Sequence, residues 1–226
     1  MHRPRLAVLV LFLLVGAACS GTSNDPAKGK TDPKKLVTLL SIRAVSTSIG
    51  PVVVGEVRNR TKKPVQDVKV TALLKDESGK TVGQGSGFVL INVISPSAKA
   101  PFSIPFTVGK TAFKVVEAKL EAVAGGGERS TKLEIADQKG RRVGPIYEVT
   151  GSARNPGSTE VTFPKVVATF YDEEGSVVGA ETGFVDQDRL GPGQAGRFLM
   201  TVSERNKLIR SFTLISEGTI PRQPTT

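Results

Sequence analysis

A chain of 226 residues with 38% hydrophobic side chains can hold one large or two small packed domains. Its 24 Gly and 14 Pro exceed what a helical bundle carries, and it contains no Trp. The formal charge of +10 is not gathered into any block of about five like charges, and aromatics make up only 5%, which argues against a nucleic-acid partner and fits a solvated basic surface, an anionic lipid or an anionic wall polymer.

The chain opens on a short basic stretch containing Arg3 and Arg5. The apolar run Leu6–Val15 follows, then the small residues Gly16, Ala17 and Ala18. That order reads as a signal peptide over residues 1–18. The run is too short to span a bilayer, which takes about 20 apolar residues. Losing it removes two arginines, so the mature charge is 10 − 2 = +8. Cys19 is the only cysteine. A lone thiol is a liability in an oxidising compartment, and it has no second cysteine to pair with.

The segment Ala17-Ala18-Cys19 resembles the lipobox of bacterial lipoproteins, with Gly16 where a Leu is usual. The resemblance implies a diacylglyceryl thioether on Cys19 and cleavage before it. It also implies a lipid bilayer as partner and an extracytoplasmic, membrane-anchored address. Two acyl chains hold far better than one, since each buried CH2 contributes about 0.8 kcal/mol. The competing expectation is a plain secretory signal with an incidental cysteine. Residues 19–34 then read as a lipidated tether, rich in Gly, Ser, Thr, Asp, Pro and Lys. Such a flexible segment spans roughly 20 Å. Lys28, Lys30, Lys34 and Lys35 could touch anionic headgroups, although a solvated spacer is the simpler expectation.

From Val53 onward the sequence repeats itself at a fixed offset, 149 − 53 = 96. Gly55 matches Gly151, and Arg58-Asn59 matches Arg154-Asn155. Asp76, Glu77 and Gly79 match Asp172, Glu173 and Gly175, and Phe102 matches Phe198. A period this long is a duplicated domain, not a solenoid unit. Each copy reads as β. Val68, Val70, Ala72 and Leu74 alternate with Asp67, Lys69, Thr71, Leu73 and Lys75, the period of a half-buried strand. The stretches DESG and DEEG supply turns. The expected fold class is all-β: two tandem Ig-like antiparallel β-sandwich domains after a signal peptide and flexible tether. The sandwiches cover residues 35–122 and 131–218, with a Gly-rich linker at 123–130 and a frayed tail at 219–226.

The residues Gly55–Asn59 (GEVRN) and Gly151–Asn155 (GSARN) resemble the strand signature of the FxLYD domain family. The name motif is matched by Ala168–Asp172 (ATFYD), and only weakly by Ala72–Asp76 (ALLKD). The resemblance implies an Ig-like sandwich on an exported bacterial protein and brings no settled activity.

The sole histidine, His2, lies in the signal peptide, so no Ser-His-Asp or Cys-His nucleophile system and no His/Cys zinc site is expected in the mature chain. No catalytic residue, metal or cofactor is expected. The Gly-rich AGGGER reads as a linker rather than a phosphate loop. Asp172, Glu173, Glu174, Asp186 and Asp188 sit near turns and read as solvated turn acids; a carboxylate-dependent hydrolase is the remote alternative. Asn59-Arg60-Thr61 matches a glycosylation sequon, read as a chance match.

The copies differ on the outward face of the third strand. Phe163, Val167 and Tyr171 form an apolar stripe in the second copy where the first has Asp67, Thr71 and Lys75. Such a stripe marks either a partner interface or a surface covered within the chain. The functional expectation is a non-enzymatic binding or scaffolding lipoprotein of the cell envelope. Its partner beyond the bilayer would be an envelope protein or an anionic wall polymer. The alternative is an adaptor subunit of a transport or secretion complex, docking through the second domain.

Overall fold

The computed structural model describes residues 33–47, 50–106, 113, 115–124, 129–203 and 209–221. The signal peptide, Cys19 and all of the tether before Pro33 lie outside the described residues. One helical turn, α1 (Pro33–Leu36), leads into an all-β chain. The first repeat contains β1 (Val37–Thr47), β2 (Gly50–Asn59), β3 (Val65–Lys75), β4 (Thr81–Phe88), β5 (Val93–Ile94), β6 (Lys99–Pro105) and β7 (Val115–Ala124). The second contains β8 (Ser130–Thr131), β9 (Glu134–Val143), β10 (Ile146–Arg154), β11 (Val161–Tyr171), β12 (Val177–Phe184), β13 (Arg189–Leu190), β14 (Ala195–Ser203) and β15 (Ser211–Thr219).

Each repeat is two antiparallel sheets facing one another across its own core. In the first, β1-β2-β6 faces β4-β3-β7, with β5 added to β3. In the second, β9-β10-β14 faces β12-β11-β15-β8, with β13 on β11. The duplication holds at the level of register. Val53 pairs with Ile104, and Val149 with Met200. Lys69 pairs with Phe88, and Lys165 with Phe184. The alternating valines do what their period requires: Val53 and Val57 of β2 meet Val68, Val70, Ala72 and Leu74 of β3 in one buried cluster. Val149, Val166, Ala168, Phe170 and Met200 build the second cluster.

Two sequence signatures acquire physical causes. Gly55 pairs directly with Phe102, and a side chain on Gly55 would come 2.6 Å from that ring. Gly151 and Phe198 repeat the arrangement. The glycine leaves room for the aromatic to lie across its own strand. The asparagine that follows is a buried plug. Asn59 Nδ2 donates to Ile94 O at 2.9 Å and Lys63 O at 2.8 Å. Asn155 Nδ2 donates to Leu190 O and Thr159 O at the same distances. Thr61 N donates to Asn59 Oδ1 at 2.8 Å, so the sequon-like spacing is a loop clasp, and the amide is too deeply buried to carry a glycan.

Strands reach past the expected limits. β7 runs through Ala124 and β8 begins at Ser130, so the Gly-rich joint is entered and left in extended backbone; residues 125–128 lie outside the described residues. The frayed tail expected from Thr219 does not begin there, and residues 222–226 lie outside the described residues. Thr219 belongs to β15, and Ile220 packs on the second core with its N–H donating to Arg129 O at 2.8 Å.

Candidate functional site

The largest departure from a simple tandem array is a face-to-face contact between the repeats. The outer face of β1-β2-β6 lies against the outer face of β12-β11-β15. Alternation places Val54 and Glu56 of β2 opposite to the core residues Val53 and Val57, where water is expected. Both are nevertheless buried, because the second repeat covers them.

Polar groups fasten this contact at both ends. Tyr171, at the end of β11, donates its hydroxyl to Glu56 Oε1 at 2.8 Å. Arg43 Nη1 on β1 donates to Asp172 Oδ2 at 2.6 Å. At the other end, Glu217 on β15 accepts the backbone N–H groups of Asn92 and Val93 at 3.0 and 3.2 Å. Lys165 on β11 stands across from Glu217 at 3.4 Å and donates to Asn92 Oδ1 at 3.0 Å. Val167, Thr169 and Ala180 are buried on the same sheet without joining the second core, and Ile215 packs against the first.

The electrostatics follow from this geometry. Burial raises the Tyr171 phenol, and the neighbouring Glu56 carboxylate adds to the rise. Asp172 goes the other way. Burial pushes its carboxyl up, but the Arg43 hydrogen bond, the Ser176 amide and the Arg43 charge together hold it below the ordinary aspartate value.

The stripe of Phe163, Val167 and Tyr171 is therefore not one surface. Val167 and Tyr171 are consumed inside the chain by the first repeat. Phe163 is 69% exposed and stands apart from them. The reason is a bulge. The pairing of β11 with β15 shifts register between Thr162 and Lys165, and Phe163 takes a left-handed backbone with φ of 50°. A bulge breaks the period-two rule, so alternation counted back from Val167 fails just past Phe163, where Val161 turns into the core. Asp67 occupies the matching bulge of the first repeat with φ of 53°.

Asp172 is likewise no solvated turn acid. It closes the β11–β12 turn by accepting Ser176 N at 2.7 Å and holds Arg43 with its other oxygen. Asp186 accepts Arg197 N at 2.9 Å, which ties its loop to β14. Among the described residues, no cluster of His, Cys, Asp and Glu has the grouping of a metal site. Cys19 lies outside the described residues.

Arg43, Glu56, Asn92 and Glu217 were not singled out by sequence. A signal existed for some of them. At the fixed offset, Glu56 becomes Ser152, Arg43 becomes Lys139, Asn92 becomes Asp188, and Tyr171 corresponds to Lys75. These contact residues are positions where the copies diverge. Glu217 and Lys165 gave no such signal, because Glu121 and Lys69 stand at their counterparts.

What the second repeat leaves uncovered is an apolar edge. Phe184 and Leu199 are exposed beside Thr150, Asp186 and Arg197 around a shallow depression of about 520 Å³. No model of a known protein family matches the chain, and no curated protein matches it in sequence.

Proposed function

We propose that this chain is a membrane-anchored lipoprotein of the bacterial cell envelope, acting as a non-enzymatic binding or scaffolding protein. Its two Ig-like, FxLYD-like modules work as one body. Lipid on Cys19 holds it, residues 19–34 set its reach, and the joined modules present fixed surfaces to an envelope protein or wall polymer. The observation that carries the scaffolding half is the fastened contact between the repeats. A chain whose modules bury Glu56, Glu217 and Val167 against each other keeps its outer surfaces at set positions. The anchoring half rests on the apolar run, the small residues and the lone Cys19.

Changing Cys19 to Ala tests the anchor. The variant is expected to leave the membrane fraction or to stall unprocessed. Normal maturation and full membrane retention of that variant would sink the anchoring reading.

A second reading is an adaptor for an envelope assembly, and one observation favours it. Phe184 and Leu199 expose an apolar edge on the second repeat that no described residue covers. Crosslinking in cells followed by mass spectrometry separates the two. A recurrent envelope protein lost on Phe184→Ser together with Leu199→Ser supports the adaptor. The same captured set in both proteins removes that edge from consideration.

A further inference from the structure

Asn59 and Asn155 close equivalent loops with equivalent bonds, yet the loops differ in charge. The first reads Arg60-Thr61-Lys62-Lys63-Pro64, and the second Pro156-Gly157-Ser158-Thr159-Glu160. Each asparagine donates to the carbonyl four residues ahead at 2.8 Å, and each accepts an amide two residues ahead. The second loop achieves this with no cation at all. The cations of the first are therefore surplus to folding.

Their placement is specific. Arg60, Lys62 and Lys63 are exposed, as is Lys35, and none of the four forms an ion pair with a described residue. Lys63 N donates to Thr61 Oγ1 at 3.1 Å, which holds the loop in shape. Arg60 N donates to Leu36 O at 2.9 Å, so the loop is tied to the segment through which the chain leaves the first repeat toward its N-terminus. The charged copy of the loop is thus the one beside the route to Cys19.

We propose that the Arg60–Lys63 loop, with Lys35 beside it, is a docking edge for an anionic bilayer surface. This rests on the anchoring reading above. A tether reaching roughly 20 Å keeps the loop about two screening lengths from the headgroups. Each basic residue near an anionic leaflet strengthens attachment about fivefold. The anchor would hold the protein at the membrane, and the loop would set which end faces it. A wall polymer could offer the same negative charge, but it gives no reason for the cations to gather where the tether emerges.

The test uses the full chain as matured in an expressing cell, mixed with preformed vesicles of phosphatidylcholine alone or of phosphatidylcholine with phosphatidylglycerol. The quantity read is the ratio of partition onto anionic over neutral vesicles. Any lipid anchor contributes equally to both, so the ratio isolates the loop, while retention on neutral vesicles reports the anchor separately. Arg60→Glu, Lys62→Glu and Lys63→Glu together are expected to lower the ratio by at least about a hundredfold, the loss of three attractive charges before the added repulsion. The milder pair Lys62→Gln and Lys63→Gln is expected to lower it by about twenty-five-fold, with thermal unfolding unchanged in both variants. The control makes the same change of charge at Lys80, Lys119 and Lys139, which are exposed elsewhere on the first and second repeats. A ratio unmoved by the loop changes, or lowered equally by the control, overturns the proposal. So does a soluble anionic wall polymer that displaces the protein from vesicles through the same loop, since the partner would then be the polymer. Loss of binding to neutral vesicles alone would sink the anchor and leave the loop assignment standing.

Discussion

Glu217 lies 3.4 Å from Lys165 across the outer face of the second repeat, with its side chain only 3% exposed. The first repeat holds the same pair in the same register, Glu121 and Lys69, 4.0 Å apart and with the Glu121 side chain 68% exposed. One ion pair therefore exists twice in this protein, once wet and once covered. The difference is the Asn92–Val93 backbone, which Glu217 captures, whereas among the described residues no backbone N–H is bound by Glu121.

That contrast yields a paired prediction. Glu217→Ala leaves two amides without their acceptor and Lys165 without its counter-charge in a covered site, and is expected to destabilise the protein by about 3 kcal/mol. Glu121→Ala is expected to cost less than about 0.5 kcal/mol. Denaturant unfolding of the two variants checks this, and equal costs would show that the Asn92 contact contributes nothing.

The contact between the repeats should make them unfold together. Arg43→Ala with Tyr171→Phe removes both polar fastenings at one end while leaving each core intact. Loss of the Tyr171 hydroxyl alone is expected to cost about 1.5–3 kcal/mol, because its acceptor is a buried carboxylate. Calorimetry of the double variant should resolve two transitions where the parent shows one. A single unshifted transition would mean that the apolar part of the contact, Val167 and Ile215, couples the repeats unaided.

The same fastenings give the coupling two pH edges. Asp172 titrates below its ordinary value in the folded protein. Its contribution is therefore complete above the unfolded aspartate value and is lost as pH falls through the folded one. Tyr171 titrates above its ordinary value, so its contribution is complete below the unfolded tyrosine value and is lost as pH rises through the folded one. Asp172→Asn should flatten the acid edge and Tyr171→Phe the alkaline edge, each leaving the other in place. Stability curves across pH, measured for both variants, decide it.

Each buried asparagine should matter to its own repeat. Asn59→Ala strips the buried Ile94 carbonyl and the part-buried Lys63 carbonyl of a donor and frees the Thr61 amide, at an expected cost of about 2–4 kcal/mol. Asn155→Ala should cost a similar amount, through Leu190, Thr159 and Gly157. Hydrogen exchange will show whether protection falls first in β2 and β3 for one variant and in β10 and β11 for the other. A surface-like effect below about 0.5 kcal/mol would contradict the plug role.

Much of the architecture was legible in the residues. The offset of 96 predicted equivalent strands, and the registers of β2 with β6 and β10 with β14 carry that offset without a slip. Period-two alternation identified Val68, Val70, Ala72 and Leu74 as core, because a strand sends neighbours to opposite faces whatever surrounds it. The glycine and asparagine of the shared strand signature were visible as matches. Their jobs, making room for Phe102 and plugging the loop at Asn59, needed the neighbouring strands to be in place.

The candidate surface was legible only in part, and Glu56 shows why. By sequence it alternates outward from a half-buried strand, and only the second repeat turns that face into an interior. Val167 and Tyr171 were recognisable as too apolar for water, but whether a partner or the chain itself covers them depends on how two folded sheets meet. Phe163 faces outward as they do but stays uncovered at a bulge, a pairing defect between strands that neither strand announces alone. Local chemistry in the sequence determined the repeat, the strands and the turns, since those depend on neighbours within a few residues. The tertiary structure decided which outward faces stay outward, since burial between sheets is set by side chains brought together from more than a hundred residues apart, as Tyr171 and Glu56 are.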